Sequence, residues 1–415
     1  MKDRIVTYCD RIIAYCLYIS FFCIPFAKAG VETFIWLALF LWFVKKAAGY
    51  RIGGLSGLIP STELNKALVA FVLINVFAVI FGTSLALSIR GFFGKILKFM
   101  AIYFMVVETI NTDKRLRNFL SIMVFSVTLI IFDGAVQYFH GFDFLRGYPY
   151  ARLRASFPTA NTFAGWLIFM IPVILVLSTL VKNDTFIGKF KKDILISIFV
   201  ILLVGLVLSY SRGAWIGLLF GFSFFGYCAI RVSYFKRKYL FILGGLFILL
   251  LVLLFGNLHV KSEESIRERI RSIATIKDQA VLIRLGLWKE SLKIIRDYPF
   301  IGCGLNNYSV VAPKYKISYS GGGYTHNSYL QMAAETGLLG LSSFLWILFT
   351  FFKMGLRHFK KSKNYLVLGL LSGILAFSVH AFFDTHLYSL QLVVLFWFML
   401  GLAVAVMKLE SNMEK

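Results

Sequence analysis

The chain has 415 residues, a formal charge of +24, 59% hydrophobic residues and a mean hydropathy of +0.78. That apolar share exceeds what a soluble domain hides, since globular chains average about 45–50% apolar. The basic residues stand in short clusters between apolar runs, the pattern of loops at a membrane surface and not of a nucleic-acid-binding face.

A hydrocarbon core of about 30 Å takes about 20 mostly apolar helical residues. Windows of that kind fall near 11–27, 30–45, 64–82, 91–110, 118–139, 160–181, 193–209, 212–230, 239–256, 327–352, 364–383 and 387–407. The expected fold is therefore an all-α integral membrane protein of about 12 transmembrane helices. Nine fall within residues 1–256, a large outer loop with amphipathic helices fills 257–326, and three more with an inner tail fill 327–415. The fourth window is burdened by Lys95 and Lys98. With the N-terminus inside, every inner segment is Lys/Arg-rich, while the short outer turns hold only Lys28, Arg90, Arg146, Arg152, Arg154 and Arg212. No cleavable leader is expected, because no small-residue cleavage site follows the first apolar run.

Cys9, Cys16 and Cys23 repeat every seven residues on one side of the first helix, and Cys303 has no outer partner, so no disulfide framework is implied. No CxxC, HExxH or GxxxxGK[ST] occurs, which argues against a zinc site of those kinds and a Walker-type nucleotide site.

The chemistry-bearing residues lie in the outer segments. In YARLRASFPTAN (150–161), Arg152 and Arg154 read as ordinary loop cations against head groups, except that the Ser156–Asn161 stretch is polar just where a helix begins. Arg212, in SYSRGAW (209–215), reads equally as a snorkelling interfacial arginine or as a phosphate ligand flanked by small residues at a helix start. From Ala280 to Arg296, Val281, Leu285, Trp288, Leu292 and Ile295 form one apolar stripe, expected to pack on the membrane domain or lie at the interface. Arg284 borders it, about 60° from its centre. Upstream, IRERIRSI (266–273) reads as a solvated surface.

DYPFIGCGLNNY (297–308) ends that helix with Pro299, Gly302 and Gly304 in a tight turn. SYSGGGYTHNSYLQ (318–331) brings His326 to the point where the loop enters the next span, as an interfacial cap or as a proton acceptor. Ser328, Gln331 and Glu335 share a face there, and Glu335 is an intramembrane carboxylate with either a functional or a helix-bonding role. In HAFFDTH (380–386), His380, Asp384 and His386 are spaced too loosely for a strong metal signal and read as turn residues bonded to neighbouring loops.

Taken in order, RLRASF with Asn161, SYSRGAW, RLGLW (284–288), PFIGCGLNNY and THNSYLQ with Glu335-Thr336-Gly337 resemble the signature of the O-antigen ligase and polymerase superfamily of bacterial membrane glycosyltransferases. The resemblance covers roughly residues 150–385. Its specific part is the SRGA-like turn with the His-Asn end of the large loop. One large outer loop between the ninth and tenth spans looks more like a ligase than a polymerase. Such a ligase resides in the bacterial inner membrane. It moves a glycan from undecaprenyl pyrophosphate to a sugar hydroxyl of lipid A–core on the periplasmic face, with no metal, ATP or other cofactor.

The resemblance implies that Arg212 and Arg284 hold the pyrophosphate and that His326 is the general base. Arg154, with Arg152, Asn161, Asn327, Trp288 and Glu335, would contact substrate. Direct displacement would invert the anomeric carbon. The alternatives are a polymerase that extends lipid-linked repeats and a flippase for the same lipid. A flippase calls for cations along a path through the bundle, where Lys95 and Lys98 are the main ones.

Overall fold

The computed structural model describes residues 2–53, 59–180, 186–232, 279–317 and 323–413. The expected ninth span (239–256), the IRERIRSI segment and most of the three-glycine stretch lie outside the described residues. The described chain is helical: α1 Lys2–Cys23, α2 Lys28–Gly53, α3 Asn65–Ile80, α4 Leu85–Gly91, α5 Lys98–Thr109, α6 Asp113–His140 and α7 Ala160–Leu180. Then come α8 Phe186–Leu208, α9 Arg212–Arg231, α10 Gln279–Asp297, the short α11 Tyr308–Val311, α12 Ser328–Ser362, α13 Tyr365–His380 and α14 Leu390–Met413.

Six of the described helices are long and apolar enough to cross a membrane, and α3 and α13 are shorter apolar helices. The protein is an α-helical, multi-pass membrane protein, and the expectation of about 12 spans goes beyond what these helices show. The fourth expected span is not one regular helix: α4 runs through a π-helical turn, Phe92–Leu97, into α5. Its lysines are accommodated by partners, since Lys98 Nζ lies 2.8 Å from Glu32 and Lys95 Nζ stands 5.2 Å from the centre of the Tyr388 ring.

The bundle centres on α14 and α7, whose most apolar stretches are 94% and 78% buried. Neither carries a charge across that stretch, so both can be surrounded by other helices. Small residues bring the backbones of α9, α13 and α7 together. A Cβ on Gly217 of α9 would sit 2.4 Å from the Ala376 carbonyl oxygen of α13, and one on Gly221 would sit 2.8 Å from that of Ser372. On the other face of α13, Gly369 and Gly373 approach the carbonyls of Pro172 and Phe169 in α7. In a lipid solvent, where apolar burial between helices gives little drive, such close backbone contact is what holds helices in register. The consequence is positional: the start of α9 is fixed beside the end of α13.

A second device fixes α10 and the loop after it. Helix α12 is broken at Gly337, with φ +70° and ψ 179°. The segment 299–304 threads into that break, where Leu338 N donates to Pro299 O at 2.8 Å, Cys303 N to Ala334 O at 2.9 Å and Gly304 N to Glu335 O at 3.0 Å. These bonds satisfy backbone groups that the break leaves without helical partners. Only glycine fits at the crossing, since a Cβ on Gly337 would lie 2.0 Å from Phe300 O and one on Gly302 would lie 2.3 Å from the Glu335 carbonyl carbon.

The buried face of α10 is not the expected stripe. Leu287, Glu290, Ser291 and Ile294 face inward, while Leu285 and Leu292 are 37% and 56% exposed. Polar residues can be buried there because the following loop supplies partners: Ser291 Oγ lies 3.0 Å from the Tyr308 hydroxyl, and Ile317 N donates to Glu290 Oε1 at 2.8 Å. Arg284 and Trp288 fall on the border between the two faces.

Candidate functional site

Four segments meet at one end of the bundle: the turn 150–161, the turn 209–212, the start of α12 and the turn 381–389. The opposite end holds the ion pairs of Lys45 with Asp10 and Glu108, at 2.5 and 2.8 Å, and of His358 with Glu410 at 2.5 Å.

The start of α12 is locked by its own sequence. Asn327 caps the helix, its Oδ1 accepting from Tyr329 N at 2.9 Å and Leu330 N at 3.1 Å. Ser328 clamps the 381–387 turn: its N–H donates to Ala381 O at 2.8 Å and its hydroxyl donates to Asp384 O at 2.9 Å. The Tyr329 hydroxyl donates to Ser378 O at 2.7 Å, and Gln331 accepts from Thr325 N at 3.0 Å while donating to Glu335 at 2.9 Å. Thr325 bonds the backbone of Asn327. In THNSYLQ, then, every polar side chain bonds to the scaffold around the helix start, that of His326 through Asp384.

His326 has φ +52°, a left-handed conformation that costs a non-glycine residue energy and is held by the surrounding clamp. Its Nδ1 lies 3.1 Å from Asp384 Oδ1. The other carboxylate oxygen of Asp384 accepts from Asn161 Nδ2 at 2.8 Å, and Asn161 Oδ1 accepts from Arg152 Nη2 at 3.3 Å. Arg152 also donates through Nε to Ser209 O at 2.9 Å, which ties the 150–161 turn to the one before Arg212. One hydrogen-bonded chain, Arg152–Asn161–Asp384–His326, thus joins three segments distant in sequence. The His326 side chain is 44% exposed and that of Asp384 17%, so the imidazole opens outward with its carboxylate behind it.

Burial alone would raise the Asp384 carboxyl. The hydrogen bond from His326, the neighbouring imidazoles and the Asn161 amide outweigh it and hold the carboxyl well below the usual carboxylate range. Being ionised, Asp384 accepts only, so His326 Nδ1 is the donor in this contact, and in the neutral imidazole it is Nε2 that keeps the lone pair. Beneath lies a second layer: His386 Nε2 is 3.0 Å from His380 Nδ1, and Ser211 Oγ is 3.3 Å from His380 Nε2. Burial, with the Arg284 and His326 charges, pushes His386 down to about 4 against the pull of Asp384, so this layer carries no charge from His386 at neutral pH.

Arg212 is the first residue of α9, set beside the layer by Gly213, where a Cβ would lie 2.8 Å from Phe383 Cβ and 3.0 Å from His380 Cδ2. Arg284 lies one turn before Trp288, whose ring packs edge-on against Phe382 at 5.3 Å, and its charge is felt at His386. Both arginines therefore come to the same end as His326. Arg154 stacks on Tyr148 at 4.3 Å and donates to Pro158 O at 3.0 Å. Glu335 is fully engaged, by Gln331 and by Asn306 N at 3.1 Å, in seating the PFIGCGLNNY loop. Trp288 Nε1 and Asn327 Nδ2 are among the buried donors that have no hydrogen-bond partner among the described residues. No group of three His, Cys, Asp or Glu among the described residues is disposed to hold a metal ion.

Sequence reading singled out Asp384 only as a turn residue, and Gln137 not at all. Gln137 holds the 150–161 turn, its Oε1 accepting from Arg154 N at 3.0 Å and Ala155 N at 2.9 Å. A glutamine inside the apolar run of α6 was the available signal.

Residues 197–345 match a family model described as O-antigen ligase. The match takes in Arg212, Arg284, Trp288, His326, Asn327 and Glu335 and stops short of Asp384 on one side and of Arg152, Arg154 and Asn161 on the other. No curated protein matches the chain.

Proposed function

We propose, from the match of residues 197–345 to the O-antigen ligase family model, that this chain is an inverting glycosyltransferase of the ligase type. It moves a glycan from undecaprenyl pyrophosphate to a sugar hydroxyl of lipid A–core. The reaction runs at the periplasmic face of the bacterial inner membrane, with about 12 spans and an inner N-terminus. The observation that carries the reading is the His326–Asp384 pair, an outward-facing imidazole with its carboxylate behind it, at the bundle end where Arg212 and Arg284 also arrive.

His326 Nε2 takes the proton of the acceptor hydroxyl as its oxygen attacks the anomeric carbon. The bond from that carbon to the pyrophosphate oxygen breaks, its electron pair leaves with the pyrophosphate, and the configuration inverts. Arg212 and Arg284 receive the growing negative charge, as planar forks suited to phosphate oxygens. Asp384 orients the imidazole and stabilises its protonated form, as a carboxylate does behind a catalytic histidine in other enzymes. Asn161 and Arg152 hold Asp384, and Arg154 lies at the edge of the site. Trp288 and Asn327 are taken as substrate contacts at the same end of the bundle. Glu335 acts by seating the loop.

The test is transfer in vitro by the purified protein, with undecaprenyl-pyrophosphate glycan and lipid A–core, in EDTA and without ATP. Glycan on lipid A–core supports the reading. Longer lipid-linked glycan with unmodified lipid A–core means a polymerase, and no covalent change with either lipid sinks both.

A further inference from the structure

At the end of the bundle away from His326, a pocket opens between α12, α14 and the turn before α3. Both long helices run toward that end, and both turn the same pattern into the pocket. On α12 the lining passes from Met354 to Arg357 and Lys361, and on α14 from Val404 and Met407 to Lys408. The three apolar residues are buried, Lys408 is half-buried, and Arg357 and Lys361 are exposed. The wall therefore changes from apolar to cationic over about 10 Å, at 1.5 Å for each helical residue. We infer that this pocket binds the head group of an anionic phospholipid. The phosphate sits at Lys361 and Lys408, and the first carbons of the lipid chains lie against the apolar floor. The inference holds whichever reaction the other end of the bundle performs.

Three observations select that occupant. The first is charge. Three Lys or Arg side chains line the pocket and one carboxylate does, that of Glu63, which leaves an excess of two positive charges. Arg357 pairs with Glu63. His358 also lines the pocket but lies against Glu410 at 2.5 Å, and Glu410 is not part of the lining. A basic pocket between spans attracts an acidic lipid head and gives a zwitterionic one no such advantage.

The second is the order of the residues with depth. A free phosphate would use the cations alone. An amphiphile uses the whole wall, because its charged head and its apolar chains follow each other in the same order as the side chains do. That order appears on two helices independently, at positions 354, 357 and 361 of one and 404, 408 and 411 of the other.

The third is the rigidity of the remaining wall. Thr62 Oγ1 accepts from the Tyr103 hydroxyl at 2.9 Å and donates to Asn65 Oδ1 at 2.5 Å, and Asn65 Nδ2 donates to Pro60 O at 3.1 Å. Lys408 Nζ reaches across to this turn and donates to Ser61 O at 3.2 Å. An ammonium has three donors, so the bond fixes the cation at the mouth and leaves donors for a phosphate. A site held in place beforehand loses less entropy when it is filled.

The same helix supplies a control. Lys353 and Lys360 are exposed on α12 near the same end, but they stand about 100° round the helix from the lining face and are not part of it. They are cations beside a membrane without a pocket.

The experiment uses the full chain. Thermal unfolding is followed in phosphatidylcholine nanodiscs, with phosphatidylglycerol added in one set. The midpoint is expected to rise with phosphatidylglycerol in the unmodified protein and in Lys353→Gln/Lys360→Gln, and to stay unchanged in Lys361→Gln/Lys408→Gln. In detergent, binding of a short-chain phosphatidylglycerol is read by native mass spectrometry. At about a factor of five for each Lys or Arg, the Lys361→Gln/Lys408→Gln protein should bind roughly 20-fold more weakly. Glu63→Gln removes the one carboxylate of the lining and should bind more tightly, a gain that misfolding cannot produce. Equal loss in the two double-lysine variants overturns the inference, because attraction to a positive end of the bundle would then explain the binding. No tightening in Glu63→Gln also overturns it. Inorganic phosphate that displaces the short-chain lipid at equal concentration would make this a site for free phosphate and remove the lipid.

Discussion

His326 and Asp384 stand 58 residues apart in the chain, and yet Nδ1 of one lies 3.1 Å from Oδ1 of the other. The contact is made by two helix ends clamped together through Ser328. Asp384→Asn keeps the size of the side chain but lets its amide face Nδ1, which turns the imidazole to the wrong tautomer. Transfer is expected to drop by roughly 10² to 10⁴-fold in kcat with little change in KM for either lipid. His326→Ala should abolish transfer and leave photolabelling by the donor intact. Transfer at the unmodified rate in Asp384→Asn would remove the pair from the mechanism.

His386 gives a pH dependence with a definite sign. Its folded value of about 4 lies below the ordinary value of 6.5. Between those limits the unfolded chain binds the proton and the folded chain does not, so stability rises with pH through that window and levels off above it. The full span is worth roughly 3 kcal/mol. Thermal unfolding followed at pH 5 and pH 8 should show the lower midpoint at pH 5, and His386→Phe should shrink the difference. An equal difference in the variant would assign the slope to other groups.

The parts of this site that sequence made legible are those whose requirements are local. Pro299, Gly302 and Gly304 make a tight turn, and Arg212 begins a helix after a short turn; each follows from residue type at one place, whereas the Asn327 cap and the break at Gly337 inside the expected span 327–352 were not read. What was not legible depends on a partner brought from elsewhere. The apolar spacing of α10 pointed to the stripe of Leu285 and Leu292, but Glu290 and Ser291 are the buried pair because Ile317 and Tyr308 bond to them. Asp384 read as one of three groups in a turn, and only the folded chain turns it away from a metal set and toward His326 and Asn161. The lysines that weakened the fourth span likewise find Glu32 and the Tyr388 ring.

Arg284 and Arg212 are expected to differ from an ordinary cation in their response to lysine. A planar fork can bond two phosphate oxygens at once, whereas an ammonium is a point charge. Arg284→Lys should therefore restore only part of the transfer lost in Arg284→Ala, with the alanine variant down at least about 10²-fold in kcat/KM. Arg284→Ala has a second readout, because its charge is one of those that push His386 down. The stability difference between pH 5 and pH 8 should shrink in that variant, because folded His386 then titrates closer to its unfolded value. Full rescue by lysine would mean that charge alone suffices.

The crossing of α9 and α13 makes the position of Arg212 a consequence of packing, and two glycines of α9 test this against each other. A Cβ on Gly217 would meet the Ala376 carbonyl oxygen at 2.4 Å, and backbone cannot yield as a flexible side chain can. A Cβ on Gly226 would meet nothing within 4 Å. Gly217→Ala must push the helices apart, lowering stability by about 1–3 kcal/mol. It also moves the start of α9 away from His380 and Phe383, so transfer should fall although residue 217 touches no substrate. Gly226→Ala changes the same helix by the same atom and should be neutral or slightly stabilising, since alanine favours helix by up to about 1 kcal/mol. Thermal unfolding and kcat measured on both variants decide the matter. Equal behaviour of the pair would mean that the crossing does not position Arg212, and that the site is held by the turn 209–211 alone.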